Sequence, residues 1–261
     1  MSIEALIFDV DGTIADTEEA HRVAFNLAFE RNGLGWNWQP REYRELLKVA
    51  GGKERIRSYI DDHLDIGRAE RERLHAMVRD VHFDKTRFYS AIVQDGAVRL
   101  RAGVGRLLEE ALAEGYKLAI ASTTTATNID ALLQSTLGPR GLHLFTVIAC
   151  GDQVRHKKPA PDIYELALNG LGLLPQHAIA FEDSLNGLRA AHAAGLWTVV
   201  TPSFWTEDSE FPEADLLLAH LGGPDFPLPG EPGRHLESAA WLTCAEAARR
   251  AARIASPAML H

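Results

Sequence analysis

Ile3-Glu4-Ala5-Leu6-Ile7-Phe8-Asp9-Val10-Asp11-Gly12-Thr13 is the stretch from which the rest of the chain is read. Residues 3–8 form a short apolar run closed by a glycine-bearing turn, the pattern of a buried strand. Two carboxylates two residues apart in that turn repel each other unless a cation or a shared proton offsets the charge. In a parallel α/β sheet the carboxyl end of a strand is also where ligands bind. A nucleophilic Asp9, an acid/base Asp11 and a divalent metal together account for the motif. An Asp-rich β-turn is the plain alternative.

Working outward, Asp16 with Glu19 three residues on is placed to cap a helix. Ala20, Val23, Ala24, Leu27 and Ala28 follow helical spacing, and Gly33 ends the run. A second helix opens at Pro40 and breaks at Gly51-Gly52; two more are expected over 53–64 and 68–84. Residues 17–88 thus read as helix without strand signals. After them, Gly103-Val104-Gly105 turns into a helix ending at Gly115. Short apolar runs at 117–121, 145–150, 178–181, 197–201 and 216–218 then alternate with helical stretches. That alternation predicts an α/β fold with a doubly wound, mostly parallel sheet and right-handed crossovers. Residues 1–16 and 89–261 form this core, and 17–88 an all-helical cap domain inserted beside the two aspartates, where a lid is useful. A Gly/Pro-rich loop is expected over 222–233, and Thr243 with Glu246 makes a capping box for a last helix.

The chain has 261 residues, 46% hydrophobic and 24% charged, enough for one large domain or a core with an insertion. A net charge of -9 argues against nucleic acid or an anionic membrane as the main partner. An anionic substrate stays open, because a few placed cations and a metal invert the local field. Cys150 and Cys244 have neither metal-ligand nor C-x-x-C spacing and read as small buried residues of a reducing compartment. Acidic residues interrupt the opening segment, so no secretory leader is expected, and no run reaches membrane-spanning length. A cytoplasmic monomer is the expectation.

Three further features lie at expected strand ends, on the edge that carries Asp9. Ser122-Thr123-Thr124-Thr125 offers hydroxyls and backbone N–H groups suited to an anionic oxygen, or else a helix N-cap. In Lys157-Lys158-Pro159, the proline holds Lys158 extended and aimed, with Lys157 the more solvent-facing of the two. Glu182-Asp183 supplies paired acids suited to hard Mg²⁺, or else a cap by Asp183 or Ser184.

In this order the motifs resemble the haloacid-dehalogenase-like phosphotransferase superfamily. The resemblance implies Asp9 as a nucleophile forming an aspartyl-phosphate, and Asp11 as general acid and then base. It implies Ser122 and Lys158 on the phosphate. It further implies Mg²⁺ held by Asp9, the Asp11 backbone carbonyl and Asp183, with Glu182 nearby. Asp11, two residues after Asp9, distinguishes the chain from the dehalogenases themselves.

A closer resemblance lies in the insert. Asp16-Thr17-Glu18, His21-Arg22, Ala24-Phe25-Asn26, Trp36-Asn37-Trp38 and Gly51-Gly52-Lys53-Glu54-Arg55 are similar to the CbbY-type sugar-phosphate phosphatases of the β-phosphoglucomutase-like branch. CbbY-type enzymes dephosphorylate xylulose 1,5-bisphosphate, an inhibitor of Rubisco. The resemblance implies Glu18, His21, Gly51, Gly52, Lys53, Arg55, Ser122, Thr123 and Lys158 as substrate contacts. Read from the residues alone, Gly51-Gly52 is equally a helix break, Lys53 and Arg55 a solvated face, and His21 a surface histidine. In the mutase an arginine aligns with Gly52, which sets this chain apart from it. A phosphomutase and a non-enzymatic sugar-phosphate sensor remain the alternatives. His75 and His82, one heptad apart, read as solvated, and Trp36 and Trp38 as packing residues.

Overall fold

Each short apolar run does become a strand; the central ones, β1 and β4, are buried along their whole length, as a parallel sheet covered by helices requires. A computed structural model describes residues 2–230, 236–237 and 240–255. The strands are β1 (Ala5–Phe8), β2 (Lys117–Ala121), β3 (Val147–Ala149), β4 (Ala178–Glu182), β5 (Trp197–Val200) and β6 (Leu216–Leu217). They form one six-stranded sheet in the order β3-β2-β1-β4-β5-β6, parallel throughout. Side chains alternate between faces, as strand geometry requires. Leu6, Phe8, Leu118, Ile120, Ile179 and Phe181 pack on one side with Leu107 and Leu108 of α5 (Val104–Ala113) and Leu132 of α6 (Ala126–Leu137). Ala5, Ile7, Ala119 and Ala180 pack on the other with Tyr164 of α7 (Asp162–Leu171) and Ala190 of α8 (Leu185–Ala193). The chain runs outward from β1 to β3 and returns on the far side of β1 as β4, so the order reverses between β1 and β4. The crevice beyond the carboxyl ends of those two strands is the expected ligand position.

Between β1 and β2 come α1 (Glu18–Arg31), α2 (Pro40–Leu46), α3 (Gly52–Asp62) and α4 (Arg68–Gln94). Phe25, Phe29, Trp38, Tyr43, Ile56 and Val78 give these helices a core of their own. Trp38 is fully buried and Trp36 meets Phe29 edge-on, so both tryptophans pack as expected.

Several local expectations need correction. Thr17, not Asp16, is the N-cap of α1, and no side chain caps that helix; Asp16 instead lies 3.4 Å from Arg101. The buried stripe of α1 is Ala20, His21, Ala24, Phe25, Ala28 and Phe29, while Leu27 is exposed. The helix expected to stop at 84 runs on to Gln94, so a cap boundary at 88 falls inside a continuous 27-residue helix. Its Tyr89 and Val93 pack with the sheet rather than with the inserted helices. Thr243 caps the last helix, α9 (Cys244–Ala255), by accepting from Glu246 N at 3.1 Å. The Glu246 carboxylate accepts from Glu237 N and pairs with Arg249 and Arg250. In the expected 222–233 loop, Gly223 and Phe226 pair through their backbones, and residues 231–233 lie outside the described ones. Cys150 and Cys244 are buried free thiols. Among the described residues no helix is long and apolar enough to cross a membrane.

Candidate active site

Register brings the separated motifs together. Phe8 is level with Ile120 on one side and Phe181 on the other, which sets Asp9 beside the ends of β2 and β4. Lys158, on the loop after β3, is buried and reaches in between the acids. Its Nζ donates to Asp9 Oδ1 at 2.6 Å and to Glu182 Oε1 at 2.5 Å. Tyr164 Oη donates to the same Glu182 oxygen at 2.6 Å. Burial alone would lower the Lys158 pKa, but Asp9 and Glu182 outweigh it and hold it above the ordinary lysine value. Lys157 is half-buried, its ammonium tied to the carbonyl oxygens of Gly151 and Val154.

Asp9, Glu182 and Asp183 each offer a carboxylate oxygen, all within 4.8 Å of one another. Burial pushes Asp9 well above the usual carboxylate range; Lys158 opposes this, and Glu182, Asp11 and Asp183 reinforce it. Burial, with Glu182 alongside, lifts Asp183 to about 7. One lysine among these acids leaves the cluster short of positive charge. Oxygen donors at this spacing fit a hard divalent cation such as Mg²⁺. Gly12, at φ 80°, turns the chain so closely past Asp183 that a Cβ there would collide with its carboxylate.

Asp11 is held by a different set. Thr17 Oγ1 donates to Asp11 Oδ1 at 2.6 Å, His21 Nε2 lies 2.9 Å from the same oxygen, and Lys85 Nζ lies 2.6 Å from His21 Nδ1. Burial would raise Asp11, but His21, Thr17 and Lys85 overcome it and bring the pKa down to about 2. Burial lowers His21, with Lys85 adding to it. Burial also brings Lys85 down to about 7, although Asp11 and Glu18 pull the other way. His21 is therefore no surface residue: it is 5% exposed and stacks on Tyr89.

These groups open on a cavity of about 120 Å³ between the sheet edge and the inserted helices. Asp9, Asp11, Lys158 and Asp183 line its floor, and Glu18, His21, Gly51, Gly52, Lys53 and Arg55 its roof. Thr123 lines it too, whereas Ser122 and Glu182 are buried behind the lining residues. Ser122 Oγ accepts from Thr124 N at 3.2 Å, and the helix caps nearby are Thr125 and Ser184. Lys53 pairs with Asp152 at 2.9 Å, joining insert to core. Arg55 is buried rather than solvated, donating to Leu46 O and Tyr43 Oη. Tyr43 Oη in turn donates to Glu18.

Sequence reasoning missed Thr17, Lys85 and His82. His82 is not solvated: it is 8% exposed and lines the cavity, and burial, with Lys85 and Lys53 near, lowers it to about 3. His75 is the partner of Asp61 instead. His82 and Lys85 are three residues apart on one helix, so they share a face, but the expected helix stopped one residue short of Lys85.

A family profile described as haloacid dehalogenase-like hydrolase matches residues 6–201. CbbY of Cupriavidus necator is 47% identical over 252 residues, covering 95% of this chain and 96% of its own. The crystal structure of CbbY from Rhodobacter sphaeroides with phosphate superposes with a TM-score of 0.78 at 46% identity, covering 85% of this chain and 98% of that one. A mutant of the same protein in complex with xylulose-(1,5)bisphosphate superposes equally, with a TM-score of 0.78 at 45% identity and the same coverage, 85% and 98%. Motif order, sheet topology and these likenesses agree: the chain belongs to the haloacid dehalogenase-like hydrolases and, within them, to the CbbY family.

Proposed function

We propose that this hydrolase is a Mg²⁺-dependent sugar-phosphate phosphatase that converts xylulose 1,5-bisphosphate to xylulose 5-phosphate through an aspartyl-phosphate. The observation that carries the reading is the meeting of Asp9, Asp11, Asp183 and Lys158 at the floor of one cavity. The likeness to a CbbY structure holding xylulose-(1,5)bisphosphate supports the substrate.

Asp9 attacks phosphorus, and the ester P–O bond breaks as Asp11 delivers a proton to the departing sugar oxygen. Water then attacks the phosphorus of the aspartyl-phosphate while Asp11 takes its proton, and breaking the Asp9–phosphate bond frees inorganic phosphate. In the substrate-free protein Asp11 is held ionised, the state the second half of the cycle needs. A phosphate dianion beside it opposes that charge and favours the acid needed in the first half. Lys158 fixes the Asp9 oxygen, while Glu182 holds Lys158 from behind. Asp9, the Asp11 carbonyl and Asp183, with Glu182 nearby, are the residues that would hold Mg²⁺. What it supplies when bound is neutralisation of charge on the phosphoryl oxygens. Lys53, Arg55 and His82 on the roof, with the Gly51-Gly52 backbone, are suited to the rest of the bisphosphate.

Gly52 bears on the mutase alternative. A Cβ at this position would stand 2.7 Å from His82 Nε2, so a longer side chain has no room unless His82 moves. The test is a panel of sugar mono- and bisphosphates assayed for inorganic phosphate with and without Mg²⁺. Preferred, Mg²⁺-dependent phosphate release from xylulose 1,5-bisphosphate is expected. Equal rates across the panel would remove the substrate assignment, and isomerised sugar phosphate without net release would indicate a mutase.

A further inference from the structure

Residues 203–208, following β5, face two ways. Inward, Ser203 Oγ donates to Asp183 Oδ2 at 2.8 Å and Thr206 Oγ1 to the same oxygen at 3.2 Å. Ser203 N donates to Thr206 Oγ1 and Thr206 N to Ser203 O, so the segment is one hydrogen-bonded turn. Outward, the same turn is gripped by α2 of the insert. Arg44 Nη2 donates to Phe204 O at 2.6 Å, its Nη1 meets the Asp208 carboxylate, and its guanidinium lies 4.7 Å from the Phe204 ring centroid. The neighbouring Tyr43 ring meets Trp205 edge-on at 5.5 Å.

We propose that this turn is a strap on which Ser203 and Thr206 position Asp183 while the inserted helices grip its outer side, so that cation binding and cap docking reinforce each other. The inference rests on the reading of Asp183 as a cation ligand. Two hydroxyls on one carboxylate oxygen fix the rotation of that carboxylate, and such outer partners set ligand geometry and affinity. Because Arg44 and Tyr43 hold the backbone carrying those hydroxyls, an undocked cap leaves the strap, and with it Asp183, free to turn. Coupling of this kind is reciprocal: whatever factor docking adds to cation affinity, the cation adds to docking. The Arg44–Asp208 ion pair is exposed and on its own worth little. The grip comes from its combination with the Phe204 carbonyl and the Trp205 ring.

Isothermal titration of the full chain with Mg²⁺ tests the proposal through binding rather than turnover. Arg44→Ala touches neither the acids nor the cavity lining, yet is expected to weaken Mg²⁺ about fivefold. Asp208→Ala removes a partner of Arg44 from an exposed position without threatening the fold, and is expected to weaken Mg²⁺ in the same direction. In a Ser203→Ala background the link is already cut, so Arg44→Ala adds little further loss. Wild-type affinity in both Arg44→Ala and Asp208→Ala overturns the strap, as does full additivity of Arg44→Ala with Ser203→Ala. Failure of the wild-type chain to bind Mg²⁺ overturns the cation reading itself, which separates the two failures.

Discussion

Lys158 is a fully enclosed cation whose worth depends on its partners. Removing it leaves Asp9 and Glu182 buried and unpaired, and breaking a buried pair from one side costs about 3–5 kcal/mol. Lys158→Met is therefore expected to lower the denaturant midpoint sharply, with recovery when Glu182→Gln is added; equal destabilisation of single and double variants would contradict this. Asp183 gives a pH prediction. Its pKa of about 7 lies above the ordinary carboxylate value, so near and below that pH the cation-free site holds a proton that a cation must displace. Mg²⁺ affinity should rise with pH through about 7, in titrations between about pH 5.5 and 8.5. Affinity flat across that range would refute the assignment. At this scale Asp9, Asp11, Glu182 and Asp183 were legible because strand ends announce themselves in sequence, and Lys158 because Pro159 follows it. Thr17, Ser203 and Thr206 were not, because a lone hydroxyl in a loop carries no signal until a carboxylate is folded against it.

At the scale of elements, β2 spans the expected residues and the other strands differ from expectation by one or two residues at their ends. α4 runs ten residues past its expected end at 84, because Val81, Lys85, Tyr89 and Val93 form a buried stripe at four-residue spacing. Counting Lys85 as polar and solvated interrupts that stripe; its ammonium is instead enclosed against the Phe25 and Tyr89 rings and His21. The α3–α4 contact yields a separate prediction. Gly52→Ala drives a methyl into His82 and Phe25, and overpacking of this kind costs about 1–3 kcal/mol. Adding His82→Ala should restore the melting temperature but not the affinity for bisphosphate. Full recovery of both would remove His82 from the substrate site.

Over the whole molecule, α4 ties the core of the inserted helices to the core on one face of the sheet. Val78 and Val81 belong to the inserted helices, Tyr89 and Val93 to the sheet, and Phe88 touches both. A division into core and cap was legible as a change from helix-only to alternating pattern, but the shared helix was not. Calorimetry should accordingly show a single unfolding transition, and two resolved transitions would contradict the coupling. A chain of net charge -9 admits an anionic substrate because Lys53, Lys85, Lys157, Lys158 and Arg55 gather at this cavity. The most direct measurement of the chemistry assigned to that cavity is a rapid-quench experiment with xylulose 1,5-bisphosphate and Mg²⁺, followed by mass spectrometry of the digest. Transient phosphate on the peptide carrying Asp9, lost in Asp9→Asn together with turnover, is the expected result. Phosphate release by Asp9→Asn at the wild-type rate, with that peptide never phosphorylated, would contradict the nucleophile and the mechanism built on it.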